Sequence, residues 1–484
     1  MKQKSIKLNF IMNAILQISA FIFPLITFPY VSRILGPSGT GNVSFATSIV
    51  TYFALFAQLG IPTYGIRATA RVRDDKRLLS KTVQEIFIIN AVMCVLAYIV
   101  FFVVLNLVPK MYNDRFLFII ISATILFNSV GMDWLYKGLE KYTYITFVSI
   151  TFKFIALILM FVCVHHKNDY VIYGAISIFA ASASNICNLV NIHKLIYIKP
   201  ILNYEFTKHF RPIMIFFAMS CATTIYTNLD TVMLGFMKDN VEVGYYNAAI
   251  KIKNVLLGVV TSLGTVLLPR ASYYVENNMY SEFKRIAGKA LNFVVLISFP
   301  LCLYFILFAK EGVLFLSGDA YTEAILPMQI LMPTLIFIGL TNIMGIQMLI
   351  PLGREKVVLY SEIAGAIVDL AINIILIPIM SSSGAAIGTL VAEGVVWMVQ
   401  YQALKELVKE SYLKIKYIPI FLGITLAGIL SYFIKSLYLS SFLTLLLSAV
   451  IFFAVYLIVL TLAKESLINE IEYQILEKIL KKGE

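Results

Sequence analysis

Residues 84–107 read QEIFIINAVMCVLAYIVFFVVLNL, a run with a single charged side chain, Glu85, and neither proline nor glycine. As a helix rising about 1.5 Å per residue it is long enough to cross a hydrocarbon layer of about 30 Å. Its apolar residues cover every face, which a half-buried soluble helix cannot tolerate. Working outward, the whole chain repeats this character. Of 484 residues, 60% are hydrophobic and 14% charged, with mean hydropathy +0.85. A soluble domain is roughly half apolar and a quarter charged. Soluble enzymes and nucleic-acid binders are therefore excluded as expectations.

Apolar windows between charged or Gly/Pro-rich joints predict an all-α integral membrane protein with about fourteen spans. They begin near Phe10, Val43, Gln84, Phe116, Thr143, Tyr170, Pro212, Gly244, Lys289, Ala324, Val357, Gly384, Lys416 and Ser440. The basic start MKQKSIK runs into an apolar stretch too long for a signal-peptide core, so it reads as a retained first span. With that start assigned to the cytoplasm, 29 of the 39 Lys and Arg fall in inner segments and 7 in outer ones; Lys153, Lys251 and Lys253 lie inside spans. The asymmetry is the positive-inside pattern and places both termini in the cytoplasm. It also accounts for the net charge of +12 without an anionic polymer partner.

The outer joints are too short to hold a catalytic module, and no GxxxxGK[ST] phosphate loop occurs. The five cysteines lack metal-binding or disulfide-framework spacing. His165 and His166 fall in an outer joint and His193 and His209 in an inner one, where solvated loop positions are expected. Neither a catalytic residue nor a metal site is indicated.

Landmarks recur at a steady offset. Gly36 and Gly41 match Gly235 and Gly244, and Asn128-x-x-Gly131 matches Asn342-x-x-Gly345. Gly138-Leu-Glu140-Lys141 matches Gly353-Arg-Glu355-Lys356, and Gly174-Ala-Ile matches Ala385-Ala-Ile. Six spans separate the members of each pair, so the copies share one orientation, a parallel repeat. The expected organisation is a six-helix lobe over 1–205, a second over 206–410, two additional helices over 411–464 and a cytoplasmic tail over 465–484. Two lobes around a cleft would support alternating access.

Charge inside a span costs roughly 2.5–3.5 kcal/mol on insertion scales and is retained where it meets a cavity or a partner. Lys153 falls near mid-depth of span 5, and Lys251 and Lys253 enter span 8. Asp230, Asp369 and Glu393 carry the opposite charge in spans 7, 11 and 12. These cations either line a hydrated cavity for an anionic head group or pair with the carboxylates to lock helices. Glu362, Asp369 and Asn373 share one helical stripe, as do Asn13 and Gln17. Asn185 and Asn188 read as helix–helix hydrogen-bond contacts. Arg33 faces either the lumen or the membrane interface.

The strings FPYVSRILGPSGTG (28–41), GMDWLYKGLEKY (131–142), NLDTVMLG (228–235), VGYYNAAIKIKN (243–254), LLPRASYYVEN (267–277) and GIQMLIPLGREK (345–356) resemble the Wzx-type polysaccharide repeat-unit flippases. These belong to the multidrug/oligosaccharidyl-lipid/polysaccharide exporter superfamily. The resemblance implies that an undecaprenyl-diphosphate-linked oligosaccharide moves from the inner to the outer leaflet of the bacterial cytoplasmic membrane for capsule, O-antigen or exopolysaccharide synthesis. It implies a cationic cavity, with Arg33, Lys251 and Arg270 in matching strings and Lys153 shortly after one of them. Asp230, Asp369 and Glu393 become candidates for pairing or for coupling to an H⁺ or Na⁺ gradient, with no other cofactor. A polysaccharide polymerase and other assembly proteins are expected partners, besides membrane lipids. Two other readings stand beside this one: a cation-coupled multidrug exporter of the same superfamily, which would need an acidic, aromatic cavity, and a membrane polysaccharide polymerase or ligase, which would need a sizeable outer loop.

Overall fold

A computed structural model describes residues 6–201 and 203–470. The described residues form α-helices with short 3₁₀ and π segments, and contain no strand. Among them ten helices, or eleven if one bent pair is a single span, are long and apolar enough to cross a membrane, against about fourteen expected. The helices Ile6–Gln58 and Glu355–Lys414 hold 53 and 60 residues, each far longer than a span needs. Both bend at a non-helical residue, Gly36 and Ser381 respectively. The helix Asn240–Val260 is not among the ten; Lys251, Lys253 and its asparagines dilute its apolar character.

The helix Lys76–Leu107 shows how such a sequence packs. Val92, Val95, Ile99 and Val103 form an exposed apolar stripe, while Asn90, Cys94, Ala97, Phe101 and Leu105 are buried. Apolar residues thus face outward where lipid would lie, while the inward face mixes polar and small side chains with the large Phe101 and Leu105.

The chain divides into two compact units, one through Gly244 and one from Tyr245. The helix Thr207–Met237 groups with the first unit, packing on Ile6–Gln58 and Ile61–Val72. In the second unit a core around Leu291, Val294, Phe308 and Met344 is joined by the helices Tyr417–Tyr432 and Ser441–Leu462, which lie outside the repeat. Two aromatic hydroxyls fasten the second of these, Ser441–Leu462, to the helix Tyr280–Leu307. Tyr304 donates to the carbonyl of Leu445 at 2.8 Å, and Tyr456 donates to that of Leu296 at 2.9 Å.

Each unit contains the same corner. Glu140 and Gly353 both adopt the left-handed conformation, at φ 56° and 69°. In each case the next residue's N–H reaches five residues back, Lys141 to Tyr136 at 2.8 Å and Arg354 to Leu349 at 2.9 Å. This is the hydrogen bond that closes a helix with a Schellman turn. Upstream of each corner the α-helix is interrupted. In the first unit this occurs at Met132, with φ 45°, and in the second along the π-helical run Asn342–Leu349.

A polar cavity within the first unit

The interruption after Asn128 builds a site. The helix Arg115–Val130 stops, Met132 turns left-handed, and the short helix Asp133–Gly138 restarts at a new angle. Gly131 makes this possible, because a Cβ there would sit 2.2 Å from the Asn185 side chain. A second left-handed turn, Leu59–Gly60, ends the first long helix just after Gln58. A Cβ on Gly60 would lie 2.5 Å from the backbone of Phe217, so only glycine lets the turn approach the helix Thr207–Met237.

Between these turns lie two neighbouring cavities that share Gln58, Pro62 and Asn128 in their walls. The larger, about 300 Å³, is also lined by Leu16, Asp133, Trp134, Lys137, Ile145, Ser149, Ala181, Ser184, Asn185 and Asn188. The smaller, about 230 Å³, adds Thr51, Ala54, Leu55, Gly60, Thr124, Ser220 and Thr224. Hydroxyls and carboxamides dominate the polar lining. Asp133 and Lys137 are the charged lining residues, and they neutralise each other at 2.6 Å. Asn185 donates to Asn128 at 3.2 Å, and Tyr136 donates to the Asn188 carbonyl at 2.6 Å. Asn185 is therefore both a helix–helix contact, as expected, and part of a cavity wall. Such a wall both donates and accepts neutral hydrogen bonds.

Lys153 stands next to this site. It is half-buried, and its Nζ donates to Ser19 Oγ at 2.8 Å. Ser149, one turn earlier on the helix Tyr142–Cys163, lines the larger cavity, as does Leu16, about one turn before Ser19. The ammonium is thus one helical rung beyond the amide-lined space, held by a hydroxyl.

The other candidate residues are distributed over both units. In the first, Arg33 is exposed and donates to the Pro29 carbonyl, and Asp230 is buried on the helix Thr207–Met237. In the second, Lys251 is half-buried and Lys253 buried on one helix, and Arg270 is exposed on the helix Gly264–Glu276. Of the polar stripe, Asp369 and Asn373 are buried and Glu362 is half-buried; Asp369 and Asn373 both face Gly388, where a Cβ would meet the Asn373 Oδ1 at 2.3 Å. Beside Gly388, Thr389 bonds to Tyr246 at 2.8 Å. Buried Glu393 follows one turn later. No group of three or more His, Cys, Asp or Glu is placed to hold a metal among the described residues.

Sequence reading did not anticipate a second polar cluster, at the end of the first unit's helix Lys76–Leu107. His209, expected as a solvated loop residue, is 2% exposed. Its Nε2 contacts Glu85 at 2.8 Å and its Nδ1 the Tyr64 hydroxyl at 2.6 Å. Glu85, fully buried, also accepts from Lys208 at 2.9 Å and from the Glu205 N–H at 2.7 Å. Gln84 binds the carbonyls of Tyr197 and Lys199, the N–H of Ile201 and the Tyr204 hydroxyl. The connection between the two sequence repeats is thereby strapped to one helix end. Outside the spans, Lys81 beside Glu205 holds that carboxyl below its usual range.

Apolar helices long enough to cross a membrane, with polar cavities between them, define a membrane transporter class. Residues 6–275 match the family described as polysaccharide biosynthesis protein, and residues 215–392 match the MatE family. The chain belongs to the polysaccharide biosynthesis protein family, in agreement with the Wzx-type resemblance of its motif strings. A protein of Escherichia coli K12 named "Putative O-antigen transporter" is 26% identical over 80% of this chain and 94% of its own length. One of Shigella dysenteriae with the same name is 27% identical over 83% and 100%. These relatives are named as transporters, not enzymes. Among solved structures, the lipid II flippase MurJ in an inward closed conformation superposes with TM-score 0.72 at 17% identity, over 93% of this chain and 98% of that one. An inward-facing multidrug resistance MATE transporter gives 0.61 at 13% identity, over 80% and 95%. The fold is that of these two proteins.

Proposed function

We propose that this protein is a flippase that carries undecaprenyl-diphosphate-linked oligosaccharide repeat units across the bacterial cytoplasmic membrane by alternating access, in the synthesis of O-antigen, capsule or exopolysaccharide. The observation that carries this reading is the chemistry of the first unit's cavities. A sugar hydroxyl moved into hydrocarbon without a partner costs about 4–8 kcal/mol. Gln58, Asn128, Asn185 and the hydroxyls around them supply partners that both donate and accept. Lys153, one rung away, offers a cation to a diphosphate. The polyprenyl tail needs no such help and remains in lipid.

A multidrug exporter for organic cations needs carboxylate in its cavity. Here the lining carboxylate, Asp133, is already neutralised by Lys137. Asp369 and Glu393 in the second unit are the groups to test for H⁺ or Na⁺ coupling. Deletion in the native host tests the reading against a polymerase. Lipid-linked repeat units confined to the inner leaflet support a flippase, and unpolymerised units facing outward contradict it.

A further inference from the structure

The wall of the smaller cavity continues as a stripe beyond it. Thr51 and Gln58 line that cavity from the first long helix, and Ser220 and Thr224 line it from the helix Thr207–Met237. On the first helix, Thr47 and Ser44 extend the face of Gln58 and Thr51 at helical spacing, about 21 Å in all at 1.5 Å per residue. From Val43 to Thr51 every residue is buried except Ser44, Thr47 and Thr51. Val43, Phe45, Ala46, Ile49 and Val50 all turn inward. That is the reverse of the helix Lys76–Leu107, whose open face is Val92, Val95, Ile99 and Val103. A spanning helix that hides its apolar side chains and opens only hydroxyls is turned toward water, not toward acyl chains.

The helix Thr207–Met237 agrees. Of the ten helices long enough to span, it is both the least buried and the least apolar, a combination that lipid exposure disfavours. Its Thr227 is exposed and follows Thr224 by about one turn. The two helices are tied on either side of this stretch. The Tyr52 hydroxyl donates to the Ile225 carbonyl at 3.5 Å, and a Cβ on Gly235 would run into the Phe45 ring. Thr47 and Thr51 lie between these ties on one helix and Thr227 on the other. Thr51 donates to the Thr47 carbonyl at 2.8 Å, and Thr227 to that of Thr223 at 2.9 Å. With its proton used inside the helix, each of these hydroxyl oxygens keeps lone pairs with which to accept. A row of neutral acceptors suits a ligand rich in hydroxyl donors and offers no countercharge to an anion or an organic cation.

We propose that Ser44, Thr47, Thr51 and Thr227 form a hydroxyl track that accepts hydrogen bonds from successive sugar rings of a glycan beyond the amide-lined cavities, so that its contribution grows with the number of sugars carried. The proposal rests on the flippase reading above and adds to it the residues that favour an oligosaccharide over a single sugar.

The test uses the purified full chain in liposomes holding a labelled undecaprenyl-diphosphate carrier that bears either one sugar or five, with accessibility to an external enzyme as the readout. In Thr47→Val/Thr51→Val, which keeps shape and charge, transfer of the five-sugar carrier should fall about 30-fold, the worth of two neutral hydrogen bonds. The one-sugar carrier meets one of these hydroxyls at a time and should lose about fivefold. Equal loss for both carriers, or none for either, overturns the track while the flippase reading stands, because the wild type still moves both. Wild-type protein that moves neither carrier sinks the reading and the track together, and one that moves only the single sugar sinks the track. If the double variant does not fold, Thr47→Cys reports on the same face. A charged, water-soluble thiol reagent should label it above the parent chain, and should not so label Val92→Cys. Labelling of Thr47→Cys no higher than the parent overturns the track.

Discussion

Replacing Glu85 by alanine removes the acceptor at the centre of the most densely bonded polar cluster in the first unit. Three donors converge on that carboxylate: the His209 imidazole, the Lys208 ammonium and the Glu205 N–H. The lysine, 38% exposed, can turn to water. Glu205 is exposed too, so its N–H can reach water, whereas the buried His209 loses its partner. A buried donor left unsatisfied costs about 1–3 kcal/mol, which puts the loss at about 2 kcal/mol. The loss should appear in a particular place. The connection 195–206 is held by Glu85, Gln84 and Ser80, the last accepting from the Tyr197 N–H at 2.9 Å. Limited proteolysis of the purified protein should therefore cut within 195–206 markedly faster in Glu85→Ala, with a lower melting temperature in detergent. Glu85→Gln, which keeps an acceptor but not the charge, should fall between wild type and alanine. Unchanged melting together with wild-type cleavage in this connection would refute the strap.

Other perturbations follow from the same geometry. Lys153→Gln should lower export of lipid-linked units by roughly tenfold or more, the worth of a hydrogen bond to a charged group, whereas neutralising the exposed Lys409 should not; export assays at matched protein levels compare them. Gly131→Ala drives a Cβ into Asn185, so thermal melting should report about 1–3 kcal/mol of overpacking and export should fall with it. Glu465 lies outside the spans. Burial opposes its charge, but hydrogen bonds from Asn292, the Ile468 N–H, Ser466 and the Leu467 N–H outweigh that and hold its carboxyl below the usual range. Such a group stabilises above the ordinary carboxylate pKa of about 4.3 and loses that contribution as pH falls towards its folded value. Hydrogen exchange in residues 463–470 should accelerate below about pH 4, and Glu465→Gln should remove most of that dependence.

The membrane class and the all-helical architecture were legible because apolar length and helical stripes are local properties of the chain. The sequence match of Gly138 with Gly353 falls two residues from the corner that both units contain, because the left-handed counterpart of Gly353 is Glu140 while Gly138 is still helical. The cavity was not legible. Gln58, Asn128, Ser149 and Ser184 come from four separate stretches, and neutral amides and hydroxyls give no signal until the backbone turns at Leu59 and Met132 bring them together. Lys153 stands out in sequence as a charge inside a span, whereas the uncharged wall beside it does not. His209 was misread for a related reason. A histidine in a charged connection reads as solvated, and its partner Glu85, over a hundred residues earlier, reads as the polar edge of a span.

The central claim is that the amide-lined cavities of the first unit carry the glycan of a lipid-linked oligosaccharide across the bilayer. Its most direct test is translocation of a labelled undecaprenyl-diphosphate-linked oligosaccharide in liposomes holding the purified protein, followed by accessibility to an external enzyme. The expected result is accessibility well above that in empty liposomes, and a strong reduction in Gln58→Leu/Asn128→Leu at unchanged reconstitution efficiency. Wild-type protein that moves no more substrate than bare lipid, or a double variant as active as wild type, would contradict it.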